Sequence, residues 1–179
     1  MKTRVAILTI AILLIGFSGL EAGKRNYFTV GAGGTFVHKP EIAKKYVNDG
    51  YHAFLGVGFD FTPWLSTFIV GEYHRGSGKK PHGSWFSGDI KAKGAFLLMK
   101  VSPYKFESLL APYGVAGVGY VYADLSTSAG ATTIGLGTDF WATSQIGAFI
   151  EWRHVKAYFS EVNVEVRLLK IGVIYSVGQ

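Results

Sequence analysis

The sequence predicts an all-β fold: an eight-stranded, antiparallel, up-and-down barrel. Three observations predict it. Short stretches in which apolar residues alternate with polar or small ones recur along the chain, and this is the period of a strand. Gly occurs 24 times in 179 residues and aromatics make up 15%, against a usual Gly share of about 7%. The chain also ends in an alternating stretch. Ile171, Val173, Tyr175 and Val177 fall on one face, and Lys170, Gly172, Ile174 and Ser176 on the other. An open strand edge invites unwanted pairing, so this last strand needs a partner. Pairing it with the first strand closes a barrel.

The N-terminus precedes the strands. Lys2 and Arg4 flank an apolar run from Val5 to Ile15, broken only by Thr9, and Leu20-Glu21-Ala22 follows. This is the layout of a secretory signal peptide. Its apolar core of about 11 residues is short of the roughly 20 that a spanning helix needs. Cleavage is expected after Ala22, with Ser18 as the second choice because Leu20 is not small. The expected organisation is a signal peptide over residues 1–22 and one barrel domain over 23–179. The chain has no Cys, which rules out disulfide staples and a lipid-modified Cys start. The formal net charge is +6. That suggests anionic surroundings without specifying nucleic acid, and an exported chain is not expected to meet nucleic acid.

The first strand is predicted from Tyr27 to Val37. His38 to Gly50 is polar, contains Pro40 and Asn48-Asp49-Gly50, and reads as a long loop. The second strand covers Tyr51 to Thr62, with Tyr51, Ala53, Leu55, Val57, Phe59 and Phe61 as an unbroken apolar face. Thr62-Pro63-Trp64 is a tight turn. The third strand runs from Leu65 to Arg75. Leu65, Ile69 and Tyr73 are placed on one face and Glu72 and His74 on the other, although Phe68 and Val70 make both faces partly apolar. Gly76 to Gly88 is a second long loop. The fourth strand, Asp89 to Val101, sets Ile90, Ala92, Phe96 and Leu98 against Lys91 and Lys93. A moderate turn spans Ser102 to Leu110.

The fifth strand runs from Ala111 to Asp124, and both its faces are apolar. Gly117 and Gly119 suit a crowded interior, so Ala116, Val118, Tyr120 and Tyr122 are expected to face outward. Leu125 to Thr138, rich in Ser, Thr, Ala and Gly, reads as a third long loop. The sixth strand is placed at Phe140 to Trp152, with Glu151 opposite Ile150 and Trp152. A tight turn at Arg153-His154 leads to a seventh strand at Val155 to Val166, and the closing stretch is the eighth.

Long and short connections thus alternate, as in transmembrane barrels with long loops on one side and short turns on the other. Strands of about 10 to 13 residues match the roughly 9 to 11 needed for a tilted crossing. Only closure satisfies every backbone group in lipid. The apolar faces carry aromatics near both ends: Phe61, Trp64 and Trp152 toward the turns, Tyr51, Tyr73, Tyr120 and Tyr122 toward the long loops. Such girdles mark membrane interfaces, so the charged faces are expected to point inward. A soluble barrel of the lipocalin kind, apolar inside and polar outside, is the competing architecture.

Three phrases carry a family resemblance: Phe68-Ile69-Val70-Gly71-Glu72-Tyr73, then Ala111-Pro112-Tyr113-Gly114-Val115-Ala116-Gly117-Val118-Gly119-Tyr120, and the C-terminal Lys170, Gly172, Tyr175 and Val177. The chain resembles the small eight-stranded outer-membrane proteins of the OmpA/OmpX type over nearly all of the mature length. The resemblance implies residence in the outer membrane of a Gram-negative-type bacterium. It also implies that Gly172, Tyr175 and Val177 form a signal read by the barrel-insertion machinery. Val177 stands where that family usually has Phe, and Gly178 and Gln179 follow it.

The expected interior ion-pair network comprises Asp60, Glu72, Lys91, Lys93, Glu151, Arg153, Glu161, Glu165, Arg167 and Lys170. Charges in so narrow a barrel must pair. A structural network and a gated ion path are both open on this reading. A basic outer loop with Arg75, Lys79 and Lys80 is either a solvated loop or a contact for phosphates of lipopolysaccharide and outer-membrane lipid. No catalytic residue, cofactor or metal site is expected. His82-Gly83-Ser84 is the one His-x-Ser phrase, and the five His residues show no recurring ligand spacing. The expected role is structural or surface-interacting, non-catalytic, in a monomer. A narrow ion or small-solute channel is the alternative, and a lipid A-modifying enzyme a more distant one.

Overall fold

The computed structural model describes residues 25–39, 47–78, 90–104, 108–123, 127–160 and 163–177. The expected signal peptide, Lys79, Lys80 and Glu161 lie outside the described residues. Eight strands are present: β1 Asn26–Lys39, β2 Val47–Thr62, β3 Leu65–Gly78, β4 Ile90–Val101, β5 Leu110–Ala123, β6 Thr127–Trp141, β7 Ile146–Tyr158 and β8 Asn163–Val177. They form a closed barrel in chain order, and every neighbouring pair is antiparallel. The last strand pairs with the first along its length, from Asn26 opposite Val177 to Phe36 opposite Arg167.

The ladder has a stagger. Followed once around the barrel from Tyr27 through Gly58, Phe68, Leu98, Gly117, Thr133, Val155 and Val166, it returns to β1 at Val37. A stagger of this kind on eight strands tilts them by about 35–45° and leaves a lumen that side chains can fill. One end of the barrel holds both ends of the strand circuit (the terminal end). The other holds the connections at 40–46 and 79–89 (the loop end).

The outer surface is apolar. Val30, Leu55, Leu97, Val118, Ile134, Leu136, Ile150 and Ile171 all point away from the lumen, and Leu55 is 68% exposed and Leu136 67%. A water-soluble barrel would hide such side chains. A continuous belt of them requires an apolar solvent.

The interior is packed through a repeated pairing. Gly31 lies directly across the ladder from Phe54, Gly58 from Phe68, Gly119 from Phe96, Gly137 from Tyr113 and Gly172 from Phe149. At each of these glycines an added Cβ would run into the facing ring. The high glycine content therefore makes room for large side chains inside a narrow lumen.

Several expected elements move. The stretch expected as a third long loop is mostly β6, and the connection before it is only 124–126. Its first half reads as loop because Ala129, Ala131, Thr133, Gly135 and Gly137 point inward, and they must be small to leave room for their neighbours. Phe140, expected to open the sixth strand, is the penultimate residue of β6. The strand placed at Phe140 to Trp152 corresponds to β7, which continues through Arg153 and His154 to Tyr158. The expected seventh and eighth strands divide differently: Val155 to Tyr158 belong to β7, and Asn163–Val177 is one strand. Trp152 sits mid-strand rather than near a turn.

The face of β4 is also inverted. Phe96, Leu98 and Lys100 are buried inward, and Lys91 and Lys93 are exposed outward. The outward assignments of Ala116, Val118, Tyr120 and Tyr122 agree with the structure, and so does the inward face of Glu72 and His74 on β3.

Candidate functional site

The lumen concentrates the buried polar chemistry. At its centre is Glu72 on β3, whose side chain is fully buried. Its Oε1 accepts hydrogen bonds from Arg153 of β7 and from Lys170 Nζ of β8, the latter at 2.7 Å. Its Oε2 lies 3.2 Å from His74 Nε2. Glu151 of β7 is the second acid: its Oε1 is 3.4 Å from Arg153 Nε and 3.8 Å from Lys170 Nζ. The Tyr113 hydroxyl donates to Glu151 Oε2 at 3.2 Å. Arg153 and Lys170 are both buried. Lys170 also lies 4.1 Å from the centre of the Phe54 ring, and the Arg153 guanidinium lies 5.4 Å from that of Phe96. Two acids, two bases and the ring faces thus balance one another's charge where water is scarce, while Nε and Nη1 of Arg153 have no hydrogen-bond partner among the described residues.

The strand period explains how four distant sequence positions meet. Glu151 stands across the ladder from Lys170, and Arg153 is two residues on along β7. Glu72 lies on the far wall. A barrel of eight strands is narrow enough for long side chains to meet across it.

Toward the loop end, Thr35 Oγ1 is 3.2 Å from both His52 Nδ1 and His74 Nδ1, and the two imidazoles stack with centroids 5.2 Å apart. Thr35, His74 and Glu72 line up as hydroxyl, imidazole and carboxylate, the order of a nucleophile relay. Here the carboxylate is held by two cations and the hydroxyl is shared between two rings.

Toward the terminal end a second cluster pairs Lys100 with Asp139 and Tyr27 with Asp60. Lys100 lies 3.7 Å from the Tyr113 ring centre. Tyr27 packs on Phe68 and Trp141. Between the two clusters lies a cavity of about 40 Å³, lined in part by Lys100, Tyr113, Glu151 and Lys170. A smaller one, of about 10 Å³, lies among Tyr27, Asp60, Lys100, Asp139 and Trp141.

Of the expected network, Asp60, Glu72, Glu151, Arg153 and Lys170 point inward. Four residues do not. Lys91 and Lys93 are on the outer face of β4, and Glu165 and Arg167 are on the outer face of β8. The expectation equated charge with the lumen. That holds only inside the apolar belt, roughly 25 Å tall. These four lie toward the loop ends of their strands, where an outward side chain can reach water or lipid headgroups. Glu165 there meets His154 at 3.6 Å and Lys156 at 3.8 Å, and Arg167 Nη2 lies 3.2 Å from His38 Nε2.

The Lys100–Asp139 pair was not expected. Lys100 is in phase with Phe96 and Leu98, on what reads as an apolar face, and Asp139 lies at the border of an expected loop. Arg75 is outward on β3, its Nη1 3.4 Å from the Tyr51 hydroxyl. Of the three C-terminal signal residues, Tyr175 and Val177 point outward, while Gly172 points inward under the Phe149 ring.

No family model and no curated protein matches the chain. Solved structures do. The chain is similar to the outer membrane protein OprG from Pseudomonas aeruginosa, at 18% identity over 90% of this chain and 99% of that one, with a TM-score of 0.56. It is similar to neisserial surface protein A, at 15% identity over 85% of this chain and 95% of that one, with a TM-score of 0.58. It is also similar to Ail, the attachment invasion locus protein of Yersinia pestis, solved with the heparin analogue sucrose octasulfate. That match is at 14% identity over 86% of this chain and 99% of that one, with a TM-score of 0.55. At these identities the likeness is one of fold: the chain has the architecture of the small eight-stranded transmembrane barrels. Fold does not carry function with it.

Proposed function

We propose that the chain is an integral outer-membrane barrel of a Gram-negative-type bacterium, delivered by its signal peptide. Its role is structural or surface-interacting through the loop end, and it is non-catalytic. The observation that carries this reading is the combination of a continuous apolar exterior with a lumen filled by paired charges and rings. The exterior calls for a bilayer, and the filled lumen leaves the loop end as the place for recognition. The fold likeness to Ail, solved with a sulfated ligand, supports a surface role. The barrel acts as a monomer, with surrounding lipid and lipopolysaccharide and the insertion machinery as its partners. Gly172, Tyr175 and Val177 serve that machinery. The hydroxyl–imidazole–carboxylate line at Thr35 organises the lumen rather than a reaction.

A second reading, a narrow path for ions or small solutes, draws on the charged column and the cavity of about 40 Å³ within it. Planar-bilayer recording on the refolded barrel separates the two. A quiet membrane is expected, and resolved current steps favour the path. Lipid A incubated with the barrel is expected to keep its mass. Loss or gain of an acyl chain would overturn the non-catalytic reading.

A further inference from the structure

We propose that the loop-end rim of β3 and β4 is a seat for the phosphate headgroup of a lipid in the surrounding leaflet. Arg75, Lys91 and Lys93 all point out of the barrel. Arg75 stands directly across the ladder from Lys91, and Lys93 is two residues along β4 on the same face. Opposed residues lie about 5 Å apart and same-face neighbours about 7 Å, so the three cations match the span of one phosphorylated headgroup.

Like charges directly opposite in a ladder are unfavourable on their own, and an anion set against them reverses the sign. Lys91 and Lys93 have no ion-pair partner among the described residues. The nearby Asp49 on β2 already accepts a hydrogen bond from the Val37 amide at 3.2 Å. Tyr73 and Tyr122, which flank Lys93 across its two ladders, supply the amphipathic rings typical of a headgroup boundary.

The wall toward mid-membrane has the matching shape. Four outward residues stand in a row across four strands: Leu55, Gly71, Ala95 and Tyr120. The two middle ones are small and the outer two are large, which makes a shallow dip two strands wide below the cations, closed toward mid-membrane by the outward pair Ile69 and Leu97. The opposite ends of β3 and β4 carry outward Leu65 and Val101, without charge. The charged side chains on β7 and β8 differ, since Lys156 and His154 approach Glu165 and Arg167 approaches His38.

The seat requires that the strands cross a bilayer and is indifferent to which membrane it is. Native mass spectrometry of the full barrel reads it. The barrel is refolded in detergent and given an equimolar mixture of bis-phosphorylated lipid A and the same lipid without phosphates. The wild type is expected to retain the phosphorylated lipid preferentially. The variant Lys91→Ser with Lys93→Ser loses about tenfold or more of that retention, the scale expected for two lysines at an anionic surface. Lys156→Ser leaves it unchanged. Equal retention of both lipids, or equal loss in the two variants, overturns the seat. A gel-mobility shift on heating reports the folded barrel in every sample. A barrel that folds yet shows no phosphate preference sinks the seat alone, and a chain that never forms the heat-modifiable species sinks the membrane-barrel reading with it.

Discussion

Glu72 holds the lumen together because three partners depend on it. Arg153, Lys170 and His74 all point to its two oxygens. Removing the carboxylate leaves two buried cations without their main counter-charge. Breaking a buried pair in this way costs about 3–5 kcal/mol, so Glu72→Ala is expected to lower the unfolding free energy of the refolded barrel, read by urea titration, by that much. Glu72→Ala combined with Lys170→Met should cost less than the sum of the two, with a coupling of about 0.5–3 kcal/mol. Strict additivity would mean that the two side chains do not share a network.

The glycines give a test of the packing. A Cβ at Gly119 meets the Phe96 ring and the Ala95 carbonyl, whereas one at Gly114 meets nothing within 4 Å. Gly119→Ala is expected to cost about 1–3 kcal/mol, as overpacking does. Gly114→Ala is expected to be neutral or to gain up to about 1 kcal/mol by restricting the unfolded chain. Equal effects at the two positions would contradict the ring-over-glycine packing.

At the level of elements, legibility followed side-chain size and depth. The closing strand was readable because Ile171, Val173 and Tyr175 are large and alternate with the inward Lys170, Gly172 and Ile174. Glu72 and Lys170 are readable as interior groups because each alternates with outward residues in the middle of its strand, where a charge turned outward would face the apolar belt. β6 was not. Its inward residues are small for the same reason that its neighbours' are large, and the resulting run of Ala, Thr and Gly has the composition of a loop. β4 failed in the other direction. Phe96 and Leu98 fill the lumen, while Lys91 and Lys93 sit at the rim, so a rule that sends charge inward reverses the strand.

The corrected β6 makes a depth-dependent prediction. Leu136, 67% exposed on the outer face, lies within the apolar belt. Leu136→Arg should destabilise the barrel in lipid vesicles by about 2–4 kcal/mol, and Ser128→Arg, outward near the loop end, by about 0–1 kcal/mol. Matching costs at both positions would place β6 wrongly in the bilayer.

For the molecule as a whole, closure and filling make separate demands. Closure needs β8 to reach β1 in register. Tyr175 and Val177 point outward beside the last pairings, and the signal role proposed for them is separable from their part in closure. Tyr175→Ala with Val177→Ala is expected to lower the amount of assembled barrel in cells while leaving refolding in detergent intact. A matching loss in detergent would make the two residues structural instead.

Filling decides what crosses the membrane. The lumen is blocked at its waist by Arg153 and Lys170, both buried between Glu72 and Glu151, with Phe54 and Phe96 against them. The cavity beside them holds only about 40 Å³, and moving an ion past paired charges means breaking them at the cost that buried pairs carry. The intact barrel is therefore expected to give no resolved conductance in a planar bilayer. Arg153→Ala with Lys170→Ala removes the two longest obstructing side chains and leaves Glu72 and Glu151 as the charges at the constriction. In the fraction that still shows heat-modifiable mobility, any current must then be carried by cations, because a ring of acids selects for them. Steps in the unaltered barrel would favour an ion path through the lumen, and anion selectivity in the double variant would show that the waist lies elsewhere than at Glu72.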